Sequence, residues 1–171
     1  MGDTVSFSET KPARLKITGR TSYCLSAFGE HLIADEVEDA VSTASDSINS
    51  YITDYSVGAI FPKSQSELGG HLFIIEFKEQ PHENQIKEFA EVLDKRLAER
   101  NEDYGSHRSD GFGLNKPTIR CVKKDTFSGW MKERGKLGGQ HKVPRLISKQ
   151  ELFNNLTEYS KNKTILEWYE K

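Results

Sequence analysis

The segment His71-Leu-Phe-Ile-Ile-Glu-Phe77 sets the architecture, because five of its seven residues are large and apolar. Such a run is typical of a strand that is buried on both faces, in the interior of a sheet. Val57–Pro62 reads as a second strand, and the intervening Ser-Glu-Leu-Gly-Gly makes a hairpin the simplest connection. We therefore predict a sheet with residues 71–77 near its centre.

Two amphipathic patterns flank these strands and predict helices that cover the sheet. Asp35 and Glu38 are placed as a capping box for the first helix, and the second follows Pro81 and ends at Arg100-Asn101. The apolar positions of the first are Ile33, Val37, Ala40, Val41, Ala44 and Ile48; those of the second are Ile86, Phe89, Ala90, Leu93 and Leu97.

The later part of the chain predicts a polar excursion over Asn101–Pro117, then a strand at Thr118–Val122 with Ile119 and Cys121 on one face and Arg120 on the other. Asp125 is expected to cap a short helix that contains Phe127, Trp130 and Met131 and ends at Gly135. Ser148 and Glu151 form a capping box for a last helix, whose apolar stripe is Leu152, Phe153, Leu156 and Tyr159.

Near the start, Arg14–Thr18 and Ser22–Ala27 read as extended segments around a turn at Gly19-Arg20-Thr21. Strands and helices interleaved in this way predict an α+β fold, a small mixed β-sheet covered by helices.

The chain has 171 residues, enough for one domain with a hydrophobic core. Its 24 Lys and Arg and 26 Asp and Glu give a net charge of -2, which argues against generic binding to nucleic acid or to an anionic membrane. There is no apolar run near the ~18 residues that span a bilayer and no secretion-signal pattern at Met1. Cys24 and Cys121 read as small buried side chains in a reducing compartment, and a disulfide stays open. We predict a soluble, cytoplasmic protein.

Charge is distributed unevenly along the chain. Ala27–Tyr55 contains seven acidic residues and no Lys or Arg, whereas Lys116–Lys149 contains ten Lys or Arg and only two acidic residues. Two interpretations stay open: two solvated faces of opposite sign, or one basic face directed at a small anion or a partner.

The basic segment contains a glycine-rich loop, Arg134-Gly-Lys-Leu-Gly-Gly-Gln-His-Lys-Val-Pro-Arg-Leu146. Glycines permit unusual backbone angles and Pro144 restricts the exit, so the loop is suited to bring Lys142 to a phosphate. It is not a Walker loop, because the glycines follow a helical pattern and no Ser or Thr succeeds Lys142. A P-loop NTPase is therefore disfavoured.

Other candidate sites are weaker. Ser106, His107 and Asp110 are neighbours in a loop, whereas catalytic triads are assembled in space. Arg108 beside them is a candidate to meet an anionic substrate or another domain, or a solvated loop charge. The five histidines lack zinc-ligand spacing, so no metal site is predicted. Trp130 and Trp168 are expected to anchor helices.

Three separated pieces resemble one family when they are taken together. They are Gly2-Asp3-Thr4-Val5, then Lys16-Ile-Thr-Gly-Arg20 followed by Ala27-Phe-Gly-Glu-His-Leu32, and finally Gln140-His-Lys-Val-Pro-Arg145. Their order and spacing resemble the carboxy-terminal part of the auxin-responsive acyl-acid amido synthetases, which are adenylate-forming ligases of plants with bacterial relatives. We expect a bacterial-type member.

The resemblance implies roles for individual residues. Asp3 matches the acid that holds the ribose hydroxyls of ATP, and Lys142 matches the lid lysine that meets the phosphates. Gly19 and Arg20 lie at the joint between the large domain and a mobile lid, so Gly19, Arg20 and Thr21 form the predicted hinge, with Arg20 also near the nucleotide. Thr21 departs from the Asp or Lys common at the hinge of the wider superfamily. Arg145 and Arg108 are candidate contacts to substrate or the other domain.

The resemblance also implies a domain division, with residues 1–13 as the boundary of a missing large N-terminal domain and residues 14–171 as the lid. The partners would be that adenylation domain, a small carboxylate and an amino acid, with ATP and magnesium as cofactors of the full-length enzyme. The isolated chain is expected to bind no cofactor and to be inactive. The alternative is a free-standing α+β module that binds an anionic small molecule or a protein.

Overall fold

The computed structural model describes residues 3–20, 24–64, 67–109, 113–136, 138 and 141–170. In chain order its elements are β1 (Asp3–Thr10), β2 (Ala13–Arg20), β3 (Cys24–Leu25), β4 (Leu32–Ile33), α1 (Ala34–Ser47), β5 (Ile52–Ile60), β6 (Gly70–Phe77), α2 (Glu83–Arg100), α3 (Glu102–Arg108), β7 (Thr118–Val122), α4 (Thr126–Glu133), α5 (Gln150–Lys161) and β8 (Thr164–Trp168).

The main sheet has four strands in the order β5-β6-β7-β8. β6 pairs antiparallel with β5 and parallel with β7, and β8 pairs antiparallel with β7, so the sheet is mixed. Every residue of β6 is buried. The predicted central strand, the hairpin that leads into it and the α+β fold are thus confirmed, although β5 begins five residues before Val57.

Helices cover both faces of this sheet, because alternate residues of β6 face opposite sides. Phe73 and Ile75 pack in a cluster with the apolar stripes of α1 and α2. Leu72 and Ile74 pack in a second cluster with residues of α4 and α5, including Trp130, which is 1% exposed. The predicted helix anchor at Trp130 is confirmed.

Two predicted capping boxes are wrong. The backbone N–H of Ile33 donates to Glu36 Oε2 at 3.1 Å, so the acid that caps α1 is Glu36, one turn after Ile33, and not the predicted Asp35 and Glu38 pair. α5 begins after Lys149, and no side chain caps that position. The proposed box of Ser148 and Glu151 therefore does not form.

The cap of α4 comes from the sheet. Asp125 adopts the left-handed region with φ 65°, and its side chain caps nothing. The Glu76 carboxylate on β6 instead accepts hydrogen bonds from the backbone N–H groups of Asp125, at 3.0 Å, and Phe127, at 3.2 Å. A negative charge at a helix N-terminus is favourable, so this buried acid ties α4 to the sheet.

Neither α3 nor β8 was predicted. The polar segment after Asn101 forms α3, with the Asn101 side chain accepting a hydrogen bond from Tyr104 N at 2.7 Å. Trp168 lies in the edge strand β8 and not in a helix. β8 lies at the edge of the sheet, and none of its five residues is fully buried.

The N-terminal segment forms a separate two-stranded ribbon. β1 pairs with β2 around a turn at Lys11-Pro12, and Gly19 and Arg20 lie within β2. The predicted turn at residues 19–21 is therefore wrong at Gly19 and Arg20, while Thr21 lies outside the described residues. A domain boundary at residue 13 would divide two paired strands; the division itself stays a prediction.

Both cysteine thiols are free. Burial raises the pKa of the Cys121 thiol to about 12, so it packs as a neutral apolar side chain. Among the described residues, no helix is long and apolar enough to cross a membrane.

Candidate functional site

The segment that follows Lys142 is anchored on the free edge of β5. Val57 N donates to Arg145 O at 2.8 Å, and Ile147 N donates to Val57 O at 2.9 Å. Ser56 Oγ adds a hydrogen bond to Pro144 O at 2.7 Å. These bonds extend the sheet by a short parallel bridge between Val57 and Leu146, which fixes the exit of the glycine-rich loop.

Arg145 strengthens this anchor with its side chain. Its Nη1 donates to Asp54 Oδ1 at 3.0 Å, and its guanidinium carbon lies 4.5 Å from the centre of the Tyr55 ring. The Arg145 side chain is still 35% exposed, so it is held in place yet open to solvent on one side.

The start of the loop contains two glycines with positive φ angles. Gly135, two residues after the end of α4, has φ 64°, and Gly138 has φ 86°; both values lie in the region that favours glycine. Between this entry and the anchored exit, Lys142 is exposed and makes no ion pair with any described residue. Its ammonium is therefore available to an external anion.

Lys142 lines a cleft of about 590 Å³ between the loop, α1, β5 and α4. The wall opposite the loop carries carboxylates, and burial raises the pKa of Asp54 against the lowering effect of Arg145. The lining residues are Glu38, Asp54, Ser128, Met131, Lys136, Gly138, His141, Lys142, Val143 and Arg145. The basic lining residues thus lie on the loop and its exit, whereas the acidic ones, Glu38 and Asp54, lie on α1 and β5.

The structure places Arg108 away from this cleft lining. Its Nε and Nη2 each donate to Asp94 at 2.8 Å, and its Nη1 donates to Leu114 O at 2.7 Å. These bonds hold α3 against α2. They give no support to the predicted contact of Arg108 with a substrate or another domain, which stays a prediction. Asp110 of the suggested triad lies outside the described residues.

Asp3 and Arg20 are brought together by the ribbon. They are directly paired in its register, next to the pair of Thr4 and Gly19. This adjacency places the two residues assigned to the nucleotide at one end of the ribbon; their roles stay predictions. No described group of three or more His, Cys, Asp and Glu side chains could hold a metal ion.

The Phe28-Gly29-Glu30 piece has a structural role that sequence reasoning missed. The Glu30 carboxylate is fully buried and accepts hydrogen bonds from Phe28 N at 2.7 Å and Ala27 N at 3.2 Å. It also lies 2.8 Å from His71 Nε2, which is 1% exposed. Burial alone would raise the pKa of Glu30, but these partners, His71 foremost, hold it at about 2. The Glu30 carboxylate thus holds the loop that follows β3 against β6.

Residues 35–151, more than half of the chain, match the profile of the GH3 family C-terminal domain. The chain belongs to the GH3 family. A search of curated protein sequences found no significant match. The predicted relationship to the auxin-responsive amido synthetases is confirmed at the level of this C-terminal domain, and the bacterial type stays a prediction.

Solved GH3 structures share the fold. The AtGH3.15 acyl acid amido synthetase in complex with 2,4-DB aligns with a TM-score of 0.74 at 19% identity, and a GH3.15 acyl acid amido synthetase aligns with 0.78 at 19%. Each alignment covers 100% of this chain and 31% of the solved chain. The GH3 chain described here therefore corresponds to less than a third of the length of these proteins.

Proposed function

We propose that this chain is the C-terminal lid of an acyl acid amido synthetase and that Lys142 contacts the nucleotide phosphates during adenylation. The family match supports the enzyme class. The observation that carries the role of Lys142 is its exposed ammonium, which lies on a loop with a permissive entry and an exit bonded to β5. Such a loop can move its lysine while the rest of the domain stays rigid.

The reaction has two steps in this proposal. A carboxylate oxygen of the acyl acid first bonds to the α-phosphorus of ATP, and pyrophosphate leaves. The amine nitrogen of an amino acid then bonds to the acyl carbon, loses a proton and displaces AMP. Negative charge builds on the phosphates in the first step, where an ammonium stabilises it.

The same proposal assigns the ribose hydroxyls of ATP to Asp3 and the hinge to residues 19–21. A carboxylate can accept two hydroxyl hydrogen bonds, which suits Asp3 to this task. The lid would move against an N-terminal adenylation domain between the two steps. Magnesium would accompany ATP, and no step is assigned to it; the described residues hold no group of three or more His, Cys, Asp and Glu side chains that could bind a metal ion. Two free thiols are compatible with a cytoplasmic location.

The isolated chain is expected to show no ATP–pyrophosphate exchange with any carboxylic acid, because this proposal assigns the acyl pocket to the N-terminal adenylation domain. The whole protein should show exchange under the same conditions. The measurement is the incorporation of labelled pyrophosphate into ATP. Robust exchange by the 171-residue chain that is unaffected by Lys142→Ala would contradict the proposal.

A further inference from the structure

Ser56 is a polar residue at a fully buried position of β5. The residue is 0% exposed, and its register partner on β6 is Ile74, which packs with residues of α4 and α5. Cross-strand partners point to the same face of a sheet, so the Ser56 hydroxyl faces this apolar layer. It donates to Pro144 O at 2.7 Å, across 88 positions of the chain. Buried hydroxyls are nearly always paired, and here the partner is the backbone that follows Lys142.

Pro144 O lies just before the backbone bridge that anchors this segment to β5. The bridge begins at the next residue, where Arg145 O accepts a hydrogen bond from Val57 N at 2.8 Å. The Pro144 carbonyl precedes that bridge and is bonded to a side chain instead. Ser56 therefore extends the anchored part of the segment by one residue towards Lys142.

The two residues between Lys142 and this bridge are restricted by their own chemistry. The proline ring fixes φ of Pro144 at about −65° and favours extended backbone at Val143. Val143 is also half-buried and packs against the cluster formed with α4 and α5. The ring does not fix ψ of Pro144, and rotation about this torsion turns the peptide plane that carries Pro144 O. The hydrogen bond from Ser56 holds that plane.

We propose that Ser56 is a positioning residue for Lys142 in the adenylation step. By holding Pro144 O it stiffens the segment that follows Lys142 and sets the direction in which this lysine leaves the sheet. Gly135 and Gly138 precede Lys142, and glycine restrains the backbone least. The direction of the ammonium is therefore set from the side of Ser56. This inference rests on the proposed contact of Lys142 with the phosphates.

Ser56→Ala in the whole protein tests this role through the two half-reactions. We expect adenylate formation, measured as pyrophosphate release, to slow about 10–100-fold, because a misplacement of about 1 Å can cost 10²-fold in rate. Conversion of supplied acyl-adenylate and amino acid into amide should stay close to the original rate. Ser56→Thr keeps the hydroxyl and suits a strand, so it should retain adenylate formation.

Ser45→Ala is the matched control. Ser45 is likewise a buried serine, and its hydroxyl donates to a backbone carbonyl, that of Ser50 just after α1. Both alanine variants lose one hydrogen bond and should melt a few degrees lower. Ser45→Ala should leave both half-reactions unchanged, so a fall in adenylation that is confined to Ser56→Ala does not come from lost stability.

The double variant of Ser56→Ala and Lys142→Ala separates positioning from other roles. A residue that acts only through Lys142 has nothing to position once the ammonium is gone. In the Lys142→Ala background, Ser56→Ala should therefore change the rate of adenylate formation less than about twofold. The four rates of this cycle are measured by pyrophosphate release under the same conditions.

Three results would each overturn the inference: normal adenylate formation in Ser56→Ala, the same loss with and without Lys142, or an equal fall of both half-reactions. If Lys142→Ala alone is slow in adenylation, each of these results leaves the proposed role of Lys142 standing. Normal adenylate formation in Lys142→Ala would instead refute the proposed function, and the inference about Ser56 would fall with it.

Discussion

Lys142→Ala in the whole protein is expected to lower the rate of adenylate formation about 10²–10³-fold, the cost of losing one contact to charge that develops in a transition state. The free energy of unfolding should change by less than about 0.5 kcal/mol, because the side chain is exposed and unpaired among the described residues. Pyrophosphate release and thermal melts on the same preparation measure the two effects.

Lys132→Ala is the matched control for this substitution. Lys132 is an exposed lysine of the same basic segment, in the last turn of α4, and does not line the Lys142 cleft. It should leave both rate and stability unchanged. A large melting shift with normal adenylation in Lys142→Ala would instead make Lys142 a structural residue.

Glu30→Ala is expected to lower the free energy of unfolding by about 3–5 kcal/mol, because it leaves buried His71 and two backbone N–H groups without their acceptor. Urea unfolding at pH 7 measures the loss. Glu133→Ala, an exposed acid on α4, is the control and should stay within about 0.5 kcal/mol. A small loss in Glu30→Ala would show that the loop after β3 is not held by this carboxylate.

The same variant carries a pH dependence with a definite sign. The pKa of Glu30 is lowered from 4.5 to about 2 in the folded protein, so its stabilisation is present above about pH 4.5 and is lost as the pH falls towards 2. The difference in stability between the original protein and Glu30→Ala should therefore shrink over this window. A difference that stays constant from pH 5 to about pH 2 would contradict the assignment.

Elements whose apolar residues recur at a clear helix or strand spacing could be predicted from the local sequence. β6 is buried along its whole length and α2 carries one clean stripe, so both could be predicted from their own residues. α3 could not be predicted in this way, because a seven-residue helix that contains Gly105 has a weak helical preference. β8 is positioned by its pairing with β7, and this pairing leaves no pattern in the local sequence.

The candidate site likewise combines residues that the local sequence indicates with contacts between distant segments that it does not. Lys142 could be selected from the sequence as a candidate, since glycines, a proline and nearby cations mark its loop, and its role stays a prediction. The residues that hold the loop could not, because Asp54 and Ser56 lie about 90 positions earlier in the chain and meet it only through β5. The Glu76 cap of α4 and the Glu30–His71 pair are likewise contacts between distant segments.

The role of Lys142 is tested most directly by measuring the two half-reactions separately in the whole protein. Lys142→Ala should form the acyl-adenylate from acid and ATP about 10²–10³-fold more slowly, yet convert supplied acyl-adenylate and amino acid into amide at close to the original rate. Equal loss of both half-reactions, or normal adenylate formation, would contradict the claim that Lys142 acts on the phosphates during adenylation.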